Sequence, residues 1–96
     1  MKKVYIAGPI SNLPENEARA AFQAAENKLS ELGYITVNPM KLPHEHDKSW
    51  EAYMREDLRE MLTCDEVWML RGWKLSRGAS MEHAVSMLVK IPVFYF

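Results

Sequence analysis

Cys64 is the one cysteine of this sequence, so no internal disulfide can form and a reducing, cytoplasmic setting is the default expectation. Charge of one sign is missing as well. Twelve Lys and Arg stand against thirteen Asp and Glu, a formal net charge of −1, which removes bulk electrostatics as a reason to bind nucleic acid or an anionic membrane. No apolar run approaches a membrane span. Met1-Lys2-Lys3 resembles the basic start of a secretion signal, but the apolar stretch behind it breaks at Gly8-Pro9, too short for a leader or a span. Repeats, low-complexity tracts and linkers are lacking, and 96 residues hold one hydrophobic core rather than two. Residues 1–96 are therefore expected to form one soluble domain, with 48% apolar and 26% charged residues in the ordinary globular range.

The few glycines and prolines punctuate an alternation of strands and helices. Val4-Tyr5-Ile6-Ala7 reads as a buried strand stopped by Gly8-Pro9. A long helix opens near Pro14 and closes at Gly33, with Ala18, Ala21, Phe22, Ala25, Leu29 and Leu32 on one face. Tyr34–Val37 is a second strand, ended by Asn38-Pro39 and followed by a loop rich in Pro, His and Lys from Met40 to Lys48. Ser49 suits the N-cap of a helix running to about Thr63. A third strand, Glu66–Leu70, a basic loop, a helix over roughly Arg77–Lys90 and a closing strand, Ile91–Phe96, complete the chain. This βαβαβαβ order predicts an α/β fold, a doubly wound (Rossmann- or flavodoxin-like) parallel sheet of about four strands ordered 2-1-3-4 with three helices. Pro92 fits the edge strand that this order makes of strand four, and so apolar an edge calls for cover by self-association or docking.

Two carboxylates attract attention. Trp50, Tyr53, Met54, Leu58, Met61 and Leu62 form an apolar stripe at helical spacing, and Asp57 falls on it. A carboxylate there is costly to bury without partners, so it either serves a site or sits at the stripe's rim and reaches water. Glu82 lies within the first two turns of the third helix, after the small-residue turn Ser76-Arg77-Gly78-Ala79-Ser80. A helix start favours an ionised carboxylate, as a nucleophile requires, although acidic residues are common in first turns for the dipole alone. Met81, Ala84, Val85 and Leu88 read as that helix's packing face, beside Glu82. The loop Arg71–Arg77 offers cations for phosphate and Trp73 for stacking on a base, or else is a solvated loop with Trp73 packed on the body. Gly8, Ile10 and Ser11 make a turn able to contact sugar or phosphate. His44-Glu45-His46-Asp47 matches no standard ligand spacing and has no Cys nearby, so neither a metal nor a cofactor is expected. Cys64, with no His placed to activate it, reads as a small buried hydrophobe.

Three blocks carry a family resemblance: Val4-Tyr5-Ile6-Ala7-Gly8-Pro9-Ile10-Ser11, then Glu56-Asp57-Leu58 ahead of Cys64-Asp65-Glu66-Val67, then Ser76-x-Gly78-x-x-x-Glu82. In this order they resemble the nucleoside 2-deoxyribosyltransferase superfamily, which includes 2'-deoxynucleoside 5'-phosphate N-hydrolases and short related domains of unassigned function. The resemblance implies that Glu82 attacks the anomeric carbon, that Asp57 assists proton transfer to and positioning of the base, and that Tyr5 orients Glu82. It assigns contacts with sugar or phosphate to Gly8, Ile10, Ser11, Ser76, Gly78 and Ser80. The transferases carry an acid where this chain has Ser76, whereas the nucleotide hydrolases carry serine, which points to a 5'-monophosphate and to hydrolysis. Members usually continue beyond strand four into a segment that reaches the neighbouring subunit's site. The sequence therefore predicts cleavage or transfer at the N-glycosidic bond of a nucleoside or nucleoside 5'-monophosphate, in a homodimer or higher homo-oligomer, with a small-molecule partner and neither nucleic acid nor membrane. The alternatives are a nucleotide-binding module, sensing or sequestering without turnover, and a structural or interaction domain.

Overall fold

A computed structural model describes residues Met1–Phe96. Four parallel strands, β1 (Lys3–Ala7), β2 (Ile35–Val37), β3 (Glu66–Met69) and β4 (Val93–Tyr95), form one sheet in the order β2-β1-β3-β4. Three helices connect them: α1 (Glu15–Glu31), α2 (Trp50–Met61) and α3 (Arg77–Leu88). The architecture is the one the sequence predicted. Central β1 explains why Val4, Tyr5, Ile6 and Ala7 are all fully buried. A parallel strand covered on both faces must be apolar on both. Val4 and Ile6 pack with Phe22, Ala25 and Leu29 of α1, while Tyr5 and Ala7 pack with Met61, Val67, Met69 and Ala79 on the side of α2 and α3.

Element ends shift for local reasons. Gly33 takes the left-handed conformation (φ +90°) that ends a helix, and the Tyr34 amide returns to the Leu29 carbonyl at 3.1 Å. Tyr34 thus belongs to the close of α1, and β2 begins one residue later. The predicted last strand shortens to Val93–Tyr95 because the Ile91 amide is used by Ser86 of α3, at 2.9 Å. Pro92 precedes the edge strand and gives its carbonyl to the Val67 amide at 3.0 Å. The basic loop contains a single 3-10 turn, Trp73–Leu75. No helix is long and apolar enough to cross a membrane.

The packing face expected for α3 is corrected. Ala79, Glu82 and Ser86 are its buried residues and Val85 packs against the core as expected, whereas Met81, Ala84 and Leu88 are exposed, Leu88 by 80%. Small size, not hydrophobicity, brings this helix close to the sheet. Its two buried polar side chains are satisfied inside the protein: Ser86 donates to its own helix at the Glu82 carbonyl (2.7 Å), and Glu82 accepts from Tyr5.

At Gly8, where β1 hands the chain to the site, a β-carbon would lie 2.7 Å from Leu70 Cβ and 2.8 Å from its Cδ1. The first of these atoms is anchored to the backbone and cannot swing away. Gly8→Ala is therefore expected to cost about 1–3 kcal/mol by overpacking, read as a lower urea midpoint at unchanged slope. An unchanged midpoint would show that β1 and the end of β3 separate freely.

Candidate active site

The carboxyl ends of β1 and β3 open at the point where strand order reverses, and a cavity of about 410 Å³ lies there. Its walls include Gly8, Ile10 and Ser11 after β1; Trp50, Tyr53, Met54 and Asp57 on α2; and Ser76, Gly78, Ala79 and Glu82 at the start of α3. The Ser76 side chain caps α3 by accepting from the Ala79 amide at 3.2 Å, which leaves its hydroxyl proton free to donate. Gly78 lets α3 approach α2, since a β-carbon there would lie 3.1 Å from Met54 Sδ. Tyr5 does not line the cavity. It lies behind Glu82 in the sheet, fully buried, and its hydroxyl donates to Glu82 Oε2 at 2.5 Å. Asp57 is buried on the α2 stripe with Met54 and Met61, and its Oδ1 has no hydrogen-bond partner within the protein. One carboxyl is held by a hydrogen bond and the other keeps a buried oxygen unsatisfied.

With this geometry in view, the comparisons with known proteins are informative. The model of the family described as "Domain of unknown function (DUF4406)" matches residues 2–95. The chain belongs to the DUF4406 family. Among solved structures it is similar to a 2-deoxyribosyltransferase from the psychrotolerant bacterium Bacillus psychrosaccharolyticus, with a TM-score of 0.75 and 24% identity over 98% of this chain and 71% of that one. The two share the α/β fold that the sequence motifs had pointed to. Comparison with curated proteins gives no match.

In this DUF4406 domain the expected helix-dipole bias of Glu82 toward ionisation is overridden. Burial pushes its carboxyl up to about 8; the Tyr5 hydrogen bond works against that rise, and the nearby Asp57 charge adds to it. Burial, helped by the charge of Glu56, raises Asp57 to about 7. The dipole acts within the first turn of a helix, and Glu82 is in the second. Desolvation therefore wins. The Tyr5 hydroxyl is also driven well above its usual range, by burial first and then by the Glu82 and Asp57 charges, so it remains a proton donor.

Two expected site residues lie elsewhere. The Trp73 ring stacks on His83, with centroids 4.1 Å apart at 20°, and packs against the core rather than the cavity. Ser80 donates to the Trp73 carbonyl at 3.4 Å and is not part of the cavity wall. The aromatic side chains that do face the cavity are Trp50 and Tyr53. Their place on the Asp57 stripe was visible in the sequence, but the stripe was read there as core alone. Arg19 and Glu15, paired at 3.0 Å, also line the cavity, as does His44, and nothing in the order of residues distinguished them from surface charges.

Burial on folding pushes Asp57 up from 3.8 to about 7 and Glu82 up from 4.5 to about 8. Between these ranges the folded chain keeps protons that the unfolded chain has lost, so stability falls as pH rises through that window and levels above it. Glu82→Gln is expected to melt at least about 4 °C higher than the wild type at pH 8.5, with a much smaller gap at pH 5. Parallel melting curves for the two proteins across pH would contradict a buried, reluctantly ionised Glu82.

Proposed function

We propose that residues 1–96 act as one nucleoside 2-deoxyribosyltransferase-like domain that cleaves or transfers at the N-glycosidic bond of a deoxynucleoside or its 5'-monophosphate. The observation that carries this reading is the pairing of a held carboxyl with an unsatisfied one on the wall of a single cavity. Glu82 is fixed by the Tyr5 hydroxyl at 2.5 Å, and Asp57 lines the same cavity with one buried oxygen that has no partner within the protein. The shared fold of a 2-deoxyribosyltransferase adds support. The volume suits a small molecule, such sites spanning about 300–1,000 Å³.

Breaking the bond between C1' and the base nitrogen builds positive charge on the sugar, and Glu82 in its ionised form would capture C1' as that bond opens. The bonding electron pair leaves with the base, and the protonated Asp57 carboxyl supplies its proton. Water, or the nitrogen of a second base, then attacks C1' and gives its proton to Asp57, releasing Glu82. Tyr5 keeps one Glu82 oxygen occupied, so the other is directed at the sugar. Gly8, Ile10, Ser11, Ser76 and Gly78 would contact sugar and phosphate, with the Ser76 hydroxyl donating. A cytoplasmic homodimer or larger homo-oligomer is the form we infer, because Leu88, Phe94 and Tyr95 leave an apolar surface exposed along α3 and the β4 edge. The competing reading, a nucleotide-binding module without turnover, draws on the raised proton affinity of both carboxyls on the cavity wall.

Base release from a panel of nucleosides and deoxynucleoside monophosphates, followed by chromatography, decides between them. Catalysis requires Glu82 ionised and Asp57 protonated, so kcat/KM should peak near pH 7–8, with limbs belonging to the coupled pair. Asp57→Asn should lower kcat by about 10²–10⁴-fold, and Tyr5→Phe by about 10–100-fold for the loss of one charge-assisted hydrogen bond. Glu82→Ala should abolish release. If no substrate is cleaved while nucleotides still raise the melting temperature of Glu82→Ala, the binding module is the function.

A further inference from the structure

His44 and His46 belong to the loop before α2, and the fold sets both imidazoles against Glu56 on α2. Sequence spacing concealed this cluster because its third member lies on the following helix. One donor atom from each of the three residues lies within 4.8 Å of the other two. His44 Nδ1 contacts Glu56 Oε1, and His46 Nε2 lies 3.7 Å from the same oxygen. The three side chains are only 20%, 16% and 17% exposed. Tyr53 meets both rings edge-on, at 5.0 Å and 4.5 Å between centroids, and so restricts their planes. His46 Nε2 is itself buried and makes no hydrogen bond, an arrangement that ordinary core packing avoids.

We propose that His44, His46 and Glu56 bind a first-row divalent transition-metal ion of the zinc or nickel type. Two imidazoles and one carboxylate converging from two segments are a donor set for such ions, with the remaining position left to water. Magnesium and calcium, which take oxygen ligands, are excluded by the same donors. The Lys48 amide donates to His46 Nδ1 at 3.0 Å, which puts the proton of the neutral ring on Nε2. Ligation through Nε2 moves that proton to Nδ1 and breaks the Lys48 bond, so the short loop from His44 to Lys48 resettles as the ion binds. Because His44 also lines the cavity, the ion would tie this loop to the helix that carries Asp57. The site does not depend on the reaction proposed above.

Tag-free protein, freed of metal with a chelator, should be titrated with zinc, nickel and magnesium chlorides while its melting temperature is followed. Zinc and nickel in hundred-fold excess over their dissociation constants should raise it by about 4 °C or more, and magnesium should not. The rise should vanish in His46→Gln and in Glu56→Gln and persist in His83→Gln, which removes the remaining histidine. Cobalt(II) should give visible absorption bands with the wild type that His46→Gln lacks, a readout independent of how stable the variant is. Absence of stabilisation by zinc and nickel in the wild type would overturn the site, as would a rise that survives both His46→Gln and Glu56→Gln.

Discussion

The hydrogen bond from Tyr5 to Glu82 is the contact on which the rest of the arrangement turns. It joins the centre of the sheet to a helix whose buried face is Ala79, Glu82 and Ser86, a face with little hydrophobic reason to be inside. A carboxyl buried to this degree needs a partner, and β1 supplies one from the interior of the sheet. Tyr5 thereby has two duties. Its ring belongs to the core with Met61 and Val67, and its hydroxyl reaches through that core to the cavity wall.

The cavity follows from the same constraint. With α3 drawn close to the sheet by small residues, Gly78 abuts Met54, and α2 is placed so that Asp57 lines the same cavity as the start of α3. The two carboxyls then sit in a region where desolvation exceeds the help from any donor, and both hold their protons to near neutral pH. Such an arrangement lowers stability relative to an apolar core, a pattern common where chemistry is done. Burial of both carboxyls also makes them respond as a pair, so that the state of one sets the proton affinity of the other.

Much of this was legible in the order of residues. The apolar run Val4–Ala7, the stop at Gly8-Pro9 and the helix end at Gly33 act through local conformation and burial, and the strand order follows from short right-handed crossovers. Asp57 stood out because a single charge on an apolar stripe breaks a period that a helix otherwise enforces. The packing of α3 was not legible. Hydrophobic periodicity named Met81, Ala84, Val85 and Leu88, whereas the buried face is set by close approach and by a partner on β1, 77 residues away in sequence. Trp73 misled for a similar reason. An indole in a basic loop suits a ligand, but His83, in the second turn of the helix that follows, lay in reach for stacking.

The sequence by itself determined the element order and the parallel sheet, because these depend on periodicity and turn chemistry; Asp57 and Glu82 stood out as candidates from their places on their helices, and Tyr5 from the family resemblance alone. Only the tertiary structure decided what those groups experience. It showed Tyr5 donating to Glu82, Asp57 Oδ1 left without a partner, and Glu56 brought between His44 and His46. Proton affinity and ligand geometry arise from desolvation and from distances between side chains remote along the chain. Those quantities exist only once the helices have packed on the sheet.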